Sequence, residues 1–175
     1  MTRINYYRGI TLIVFSAALI FGCEQSTDQT DIKNKSVFEY DETAFTTAKP
    51  WTSEDFRNNV DNFQFAIIGD RGGGANPRGT FEIAIDQLNL LQPEFVMSLG
   101  DYVEGYTSEP EVMKNQWEEF DDIISKLQMP FFFVRGNHDI NTPITREVWT
   151  ELRGPNYYYF TYKNVLFIVL DTEGA

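Results

Sequence analysis

Three stretches of the chain end alike: "FQFAIIGD" at 63–70, "EFVMSLGD" at 94–101 and "FFFVRGN" at 131–137. Each is an apolar run of strand length closed by Gly-Asp or Gly-Asn, the pattern of a buried strand that stops abruptly at a turn. The segments between them have a different period. After the loop "RGGGANPRG", Phe81, Ala84, Ile85, Leu88 and Leu91 share one face of a helix expected over Thr80–Leu91, which Pro93 ends. Met113, Trp117, Phe120, Ile124 and Leu127 then recur at intervals of three and four, the spacing of a second amphipathic helix. Strands alternating with helices in this order specify an α/β fold.

Ser108 and Glu111 have capping-box spacing, with Pro110 in the first turn, so the second helix is expected to start there. A short helix is expected around residues 146–152. "YYYFTY" and "VLFIVLD", separated by Lys163-Asn164, predict a hairpin. No solenoid-type repeat is present.

The first residues belong to a different regime. Arg3 and Arg8 precede an apolar run over 10–21 that ends in "LIFGC". A bilayer-spanning helix needs about 20 apolar residues, so this run is short for one and has the layout of an export signal. Gly22-Cys23 resembles a bacterial lipobox, with Ile20 in the aliphatic position. Cys23 is the only cysteine and has no disulfide partner in the chain. The polar stretch "EQSTDQTDIKNKS" after it suits a tether. The domains expected are a lipoprotein signal over 1–22, a polar tether and lead-in over 23–60, and a globular domain over 61–175. Local order is expected to begin near "KPW" and "TSED". Lipidated at Cys23, the protein would be held on a membrane of the bacterial cell envelope.

The formal charge is −12, and removal of Arg3 and Arg8 with the signal makes it two units more negative. Such a surface repels nucleic acid, and no basic stripe offsets it. A phosphate site here needs metal ions or locally placed arginines.

In open α/β sheets ligands collect at the carboxyl ends of the strands. Asp70, Asp101 and Asn137 all stand at that edge. The glycine before each is expected to let the backbone turn sharply. Hard oxygen donors from neighbouring strands suit a divalent metal ion. A helix cap or turn role explains one such residue equally well, but three of them, followed by His138-Asp139, favour the metal site.

"GDRGG", "GDYVEGY" and "GNHD", in this order and spacing, resemble the first three motifs of the calcineurin-like metallophosphoesterases over residues 63–171. The resemblance implies the amino-terminal half of a four-layer αββα sandwich. It also implies hydrolysis of phosphate esters at two divalent or trivalent metal ions (Fe, Mn or Zn). In that pattern Asp70 binds the first metal, Asp101 bridges both, and Asn137 binds the second. His138, the only histidine in the chain, is not a metal ligand there. It touches the phosphate and protonates the leaving oxygen. Glu104 takes the place of the acid that orients this histidine and would form a hydrogen-bonded pair with it, while Asp139 orients the loop.

Departures from the pattern leave alternatives open. The Asp-x-His position holds Gly72, so the first metal lacks a ligand. A branch of the family that also has glycine there compensates with a tyrosine at the place of Glu104, whereas here Tyr102 and Tyr106 are displaced. Glu104 is therefore either an orienting acid or a substitute ligand. Arg71, with Arg78 nearby, either contacts the substrate phosphate or balances nearby carboxylates. Family members bring further histidines, including a Gly-His-x-His segment, from a second half. The chain stops at "DTEGA" and is expected to be a fragment that alone is inactive. The missing half is expected to supply the second sheet, leaving apolar surface exposed without it. The rival reading is a non-catalytic surface-binding lipoprotein that kept the fold and lost the site.

Overall fold

A computed structural model describes residues 37–45, 48–57 and 62–173. The expected signal over 1–22, Cys23 and the polar stretch over 24–36 lie outside the described residues. Among the described residues six strands and three α-helices follow one another: β1 (Phe38–Glu39), β2 (Phe65–Ile68), α1 (Thr80–Leu91), β3 (Phe95–Ser98), α2 (Pro110–Ile124), β4 (Phe131–Phe132), α3 (Pro143–Arg153), β5 (Tyr158–Tyr162) and β6 (Val165–Val169). Strands β2, β3 and β4 form a parallel sheet in that order, with Phe65 opposite Phe95 and Val96 opposite Phe131. Strands β1, β5 and β6 form a second, antiparallel sheet.

Side chains alternate across a strand, so each strand of the parallel sheet serves two cores. Val96, Phe131 and Phe133 pack with Phe81, Ile85 and Leu88 of α1, Met113, Trp117 and Phe120 of α2, and Val148 and Trp149 of α3. Phe95 and Phe132 face the other way, onto Tyr158, Phe160, Tyr162, Phe167 and Val169 of the second sheet. The described residues thus build three layers: helices, parallel sheet, antiparallel sheet. The second sheet was expected from a missing half, yet β1, β5 and β6 already begin it. Its outer face carries the exposed apolar surface, with Tyr159, Leu166, Ile168 and Leu170 all more than half accessible.

Described residues 37–45 and 48–57, ahead of the expected domain start, are part of this packing. Phe38 and Trp51 are buried in the core between the sheets. Trp51 bridges Phe132, Thr52 N donates to Phe131 O at 3.0 Å, and Phe133 N donates to Pro50 O at 2.8 Å. Residues 50–52 therefore cover the free edge of β4, which would otherwise present unpaired backbone groups.

Several elements start or end differently from the sequence expectation. Helix α2 has Glu109 as its N-cap with no side-chain cap bond, so Ser108 and Glu111 form no capping box. Pro110 occupies the first turn, where its missing N–H costs nothing. The capping box belongs instead to α3, where Thr142 and Thr145 bond reciprocally and start the helix at Pro143, ahead of the expected residue 146. Leu91 is exposed at the end of α1, because the helix stops there in a left-handed Gln92. The hairpin forms as expected: Tyr162 pairs with Val165, and both turn residues, Lys163 and Asn164, have positive φ (50° and 124°).

Candidate active site

The third Gly-Asn loop begins where β4 leaves the sheet after only two paired residues. Side chains take over the backbone groups there. The Ser98 and Tyr102 hydroxyls lie 3.0 Å from Val134 N, and Tyr102 donates to Val134 O at 2.7 Å. Tyr158 donates to Phe133 O at 2.9 Å. Arg135 next forms a buried ion pair with Asp171 at the end of β6, so the root of the loop is tied to the second sheet.

From that root, residues 136–139 fold back on the end of β3. A Cβ on Gly136 would lie 2.3 Å from Asp101 Oδ1, so only glycine allows this approach. The role expected of the preceding glycines holds at β3, where Gly100 has φ of 97° and a Cβ would lie 2.3 Å from Gly136 N, and the aspartates add to it. At β2 and β3 the aspartates themselves adopt the left-handed conformation, with φ of 52° at Asp70 and 56° at Asp101. Non-glycine residues hold such φ values at a cost, and this strain concentrates at functional sites.

Asp139 locks the two loops together. Its fully buried carboxylate accepts from Asp101 N at 2.9 Å, Tyr102 N at 3.0 Å and Gly136 N at 2.8 Å. Burial pushes its pKa up to about 7, against the pull of the three N–H donors. Asp101 Oδ1 in turn accepts from His138 N at 2.9 Å. The first loop joins through Arg71 N and Gly72 N, which donate to Asp101 O at 2.9 and 2.7 Å. Asp70, Asp101 and Asn137 thus stand at the carboxyl edge of one parallel sheet, on loops bonded to one another.

His138 is held by its other side. Its Nδ1 lies 2.9 Å from the backbone carbonyl of Glu104, which fixes the proton on Nδ1 in the neutral ring and leaves Nε2 to exchange protons. The expected pairing with the Glu104 carboxylate is not made, because that carboxylate accepts from Gly73 N at 3.2 Å. Glu104 orients the histidine through its main chain. The Gly73 backbone runs beside the ring, where a Cβ would lie 2.7 Å from Nε2.

Arg71 is engaged with carboxylates. It pairs with Glu119, approaches Glu82 at 3.5 Å and donates to Tyr102 O at 3.2 Å. Of the two roles open to it, this geometry is that of an arginine balancing acidic neighbours; Arg78 is exposed. Gly72 leaves no room for the missing histidine, since a Cβ there would sit 2.0 Å from Val103 O. Tyr102 cannot substitute as a ligand: it is buried among Trp117, Phe120 and Phe133, and burial pushes its phenol pKa well up. Tyr106, displaced in sequence, lies against His138 with ring centroids 5.0 Å apart. The signal for it in the sequence was weak, a tyrosine two residues from the expected position.

The donor set suits a hard ion in kind, because carboxylate and amide oxygens prefer Mg²⁺, Mn²⁺ and similar cations. It is short in number. Among the described residues no group of three or more His, Cys, Asp or Glu converges on one point.

A serine/threonine-protein phosphatase of Bos taurus, CPPED1, is 27% identical over 136 residues, covering 74% of this chain. The chain spans 40% of that relative's length. No solved structure matches the chain significantly. The calcineurin-like phosphoesterase model matches residues 63–172, from the first strand of the parallel sheet through the end of β6 and across every loop described above. The chain belongs to the calcineurin-like phosphoesterase family.

Proposed function

We propose that the complete protein hydrolyses phosphate esters at a dinuclear metal centre, to which this chain contributes Asp70, Asp101 and Asn137, with His138 as the general acid. Calcineurin-like phosphoesterases generally use metal ions, and when bound these activate water and offset phosphate charge. The observation that carries the reading is the setting of His138. Its backbone is anchored to Asp101 and its Nδ1–H to Glu104 O, so Nε2 is the ring nitrogen left to act; in the imidazolium form it gives its proton to the leaving oxygen and the ring returns to the neutral Nδ1–H form. Asp139 keeps those donors in register by bonding to the backbone of both loops. Fe, Mn and Zn are the candidate ions, with further ligands supplied from outside this chain. The protein is exported and anchored to a membrane through a lipidated Cys23.

Metal-stimulated hydrolysis of phosphate esters by the complete protein is the test. His138→Asn is expected to lower turnover by about 10²–10⁴-fold, the usual worth of a positioned acid. Residues 24–175 alone are expected to bind Mn²⁺, Zn²⁺ or Fe²⁺ weakly and to turn over poorly. No metal-stimulated hydrolysis by the complete protein, or a His138→Asn variant as fast as the parent, removes the reading. A non-catalytic surface lipoprotein is then favoured, and one observation already supports that second reading: the backbone at Gly72 has no room for the missing ligand.

A further inference from the structure

Tyr106 is an expensive residue to place where it stands. Its φ is 50°, a conformation that bulky side chains rarely adopt, and 67% of its surface is exposed. The loop around it is over-determined. Gly105 N donates to Gln116 Oε1 at 2.9 Å, and Tyr106 N donates to Asn141 Oδ1 at 3.0 Å. Asn141 also donates through Nδ2 to His138 O at 3.0 Å, so one side chain fixes Tyr106 and His138 relative to each other. Their rings meet edge to face at 80° with centroids 5.0 Å apart. Strain that is held in place by such bonding beside a reactive group points to a ligand contact.

We propose that Tyr106 is a specificity-determining residue that, beside His138, receives an aromatic leaving group, so that the preferred substrates are aryl phosphate esters, the chemistry of a phosphorylated phenol. The inference rests on the phosphoesterase reading, in which His138 protonates the ester oxygen. The exposed tyrosine ring packed against that histidine is then available to the carbon group that the oxygen bears. Aromatic pairs favour offset or edge-to-face contact at centroid separations of about 4.5–7 Å. A side chain whose ring centroid is 5.0 Å from that of the imidazole is near enough to offer such a contact to a ring attached directly to the ester oxygen. An alkyl group at the same place gains only ordinary apolar contact.

The test uses non-hydrolysable analogues in which a methylene replaces the ester oxygen. Benzylphosphonate and propylphosphonate are titrated calorimetrically into the Mn²⁺-loaded complete protein, in the parent and in Tyr106→Leu and Tyr106→Phe. The parent is expected to bind the benzyl compound about tenfold more tightly, in line with aromatic pair energies. The ratio falls toward one in Tyr106→Leu and persists in Tyr106→Phe. A tyrosine that merely packs against His138 lowers both affinities together and leaves their ratio unchanged, which overturns the proposal, as does a parent that binds both equally or neither. Turnover of phenyl and ethyl phosphate separates the two levels. Hydrolysis of both without aryl preference removes the role of Tyr106 and leaves the phosphoesterase. Aryl-selective binding that depends on Tyr106, without hydrolysis of either ester, keeps the surface and removes the chemistry.

Discussion

Replacing Asp139 by alanine tests whether one buried carboxylate holds the site together. The substitution strips the acceptor from three backbone N–H groups, those of Asp101, Tyr102 and Gly136. Each buried donor left unsatisfied costs about 1–3 kcal/mol. Water entering the vacated space recovers part of this, so the expected loss is about 3–4 kcal/mol, a large share of a domain's stability. The cost also depends on pH. Burial raises the Asp139 pKa from 3.8 to about 7. A carboxyl raised on folding stabilises fully below its unfolded value and loses that contribution as pH climbs to the folded one. Over that window the parent loses about 1.4 kcal/mol per pH unit from this group. The variant has no such slope, so the gap between the two is wider at pH 5 than at pH 7.5. Urea unfolding, followed by the fluorescence of the buried Trp51, Trp117 and Trp149, measures it. About 1.6 kcal/mol of it is already lost at pH 5, so with a slope of about 1–3 kcal/mol per molar urea the midpoint there moves by about 0.5–2.5 molar. A gap below about 1 kcal/mol at pH 5 refutes the clamp. A gap that widens with pH refutes the burial argument.

Two further outcomes are expected. Trp51→Ala, which empties a site among Phe38, Tyr40, Phe45 and Phe132, should cost about 3–5 kcal/mol in the same unfolding assay; a loss under about 1 kcal/mol would mean that the segment before residue 61 adds nothing to the core. Intact-mass measurement of the membrane-extracted protein should find Cys23 as a lipidated amino terminus, and a chain beginning at Met1 with a free thiol removes the anchor.

The sequence by itself determined the order of elements from β2 to β6 and named the candidate residues of the site. Both depend on local patterns: the two periodicities of burial, the Lys163-Asn164 turn, and three apolar runs ended by Gly-Asp or Gly-Asn. Helix α1 spans the predicted Thr80–Leu91 because its apolar spacing and the bounding glycines and proline all agree. Contacts between distant residues were decided only by the tertiary structure. Whether Ser108 or Thr142 caps a helix depends on where the preceding loop enters, which spacing alone does not report. Phe38 looks like tether until Tyr162 pairs with it across the second sheet. Glu104 has the right position to pair with His138 through its carboxylate. The fold directs that carboxylate to Gly73 N and gives the histidine the main-chain carbonyl instead. Arg71 sits inside the first of the three family motifs, yet Glu82 and Glu119, brought in by two helices, engage its charge. A motif names the atoms available at a site, but hydrogen-bond partners are assigned by competition among all groups that the fold brings within reach.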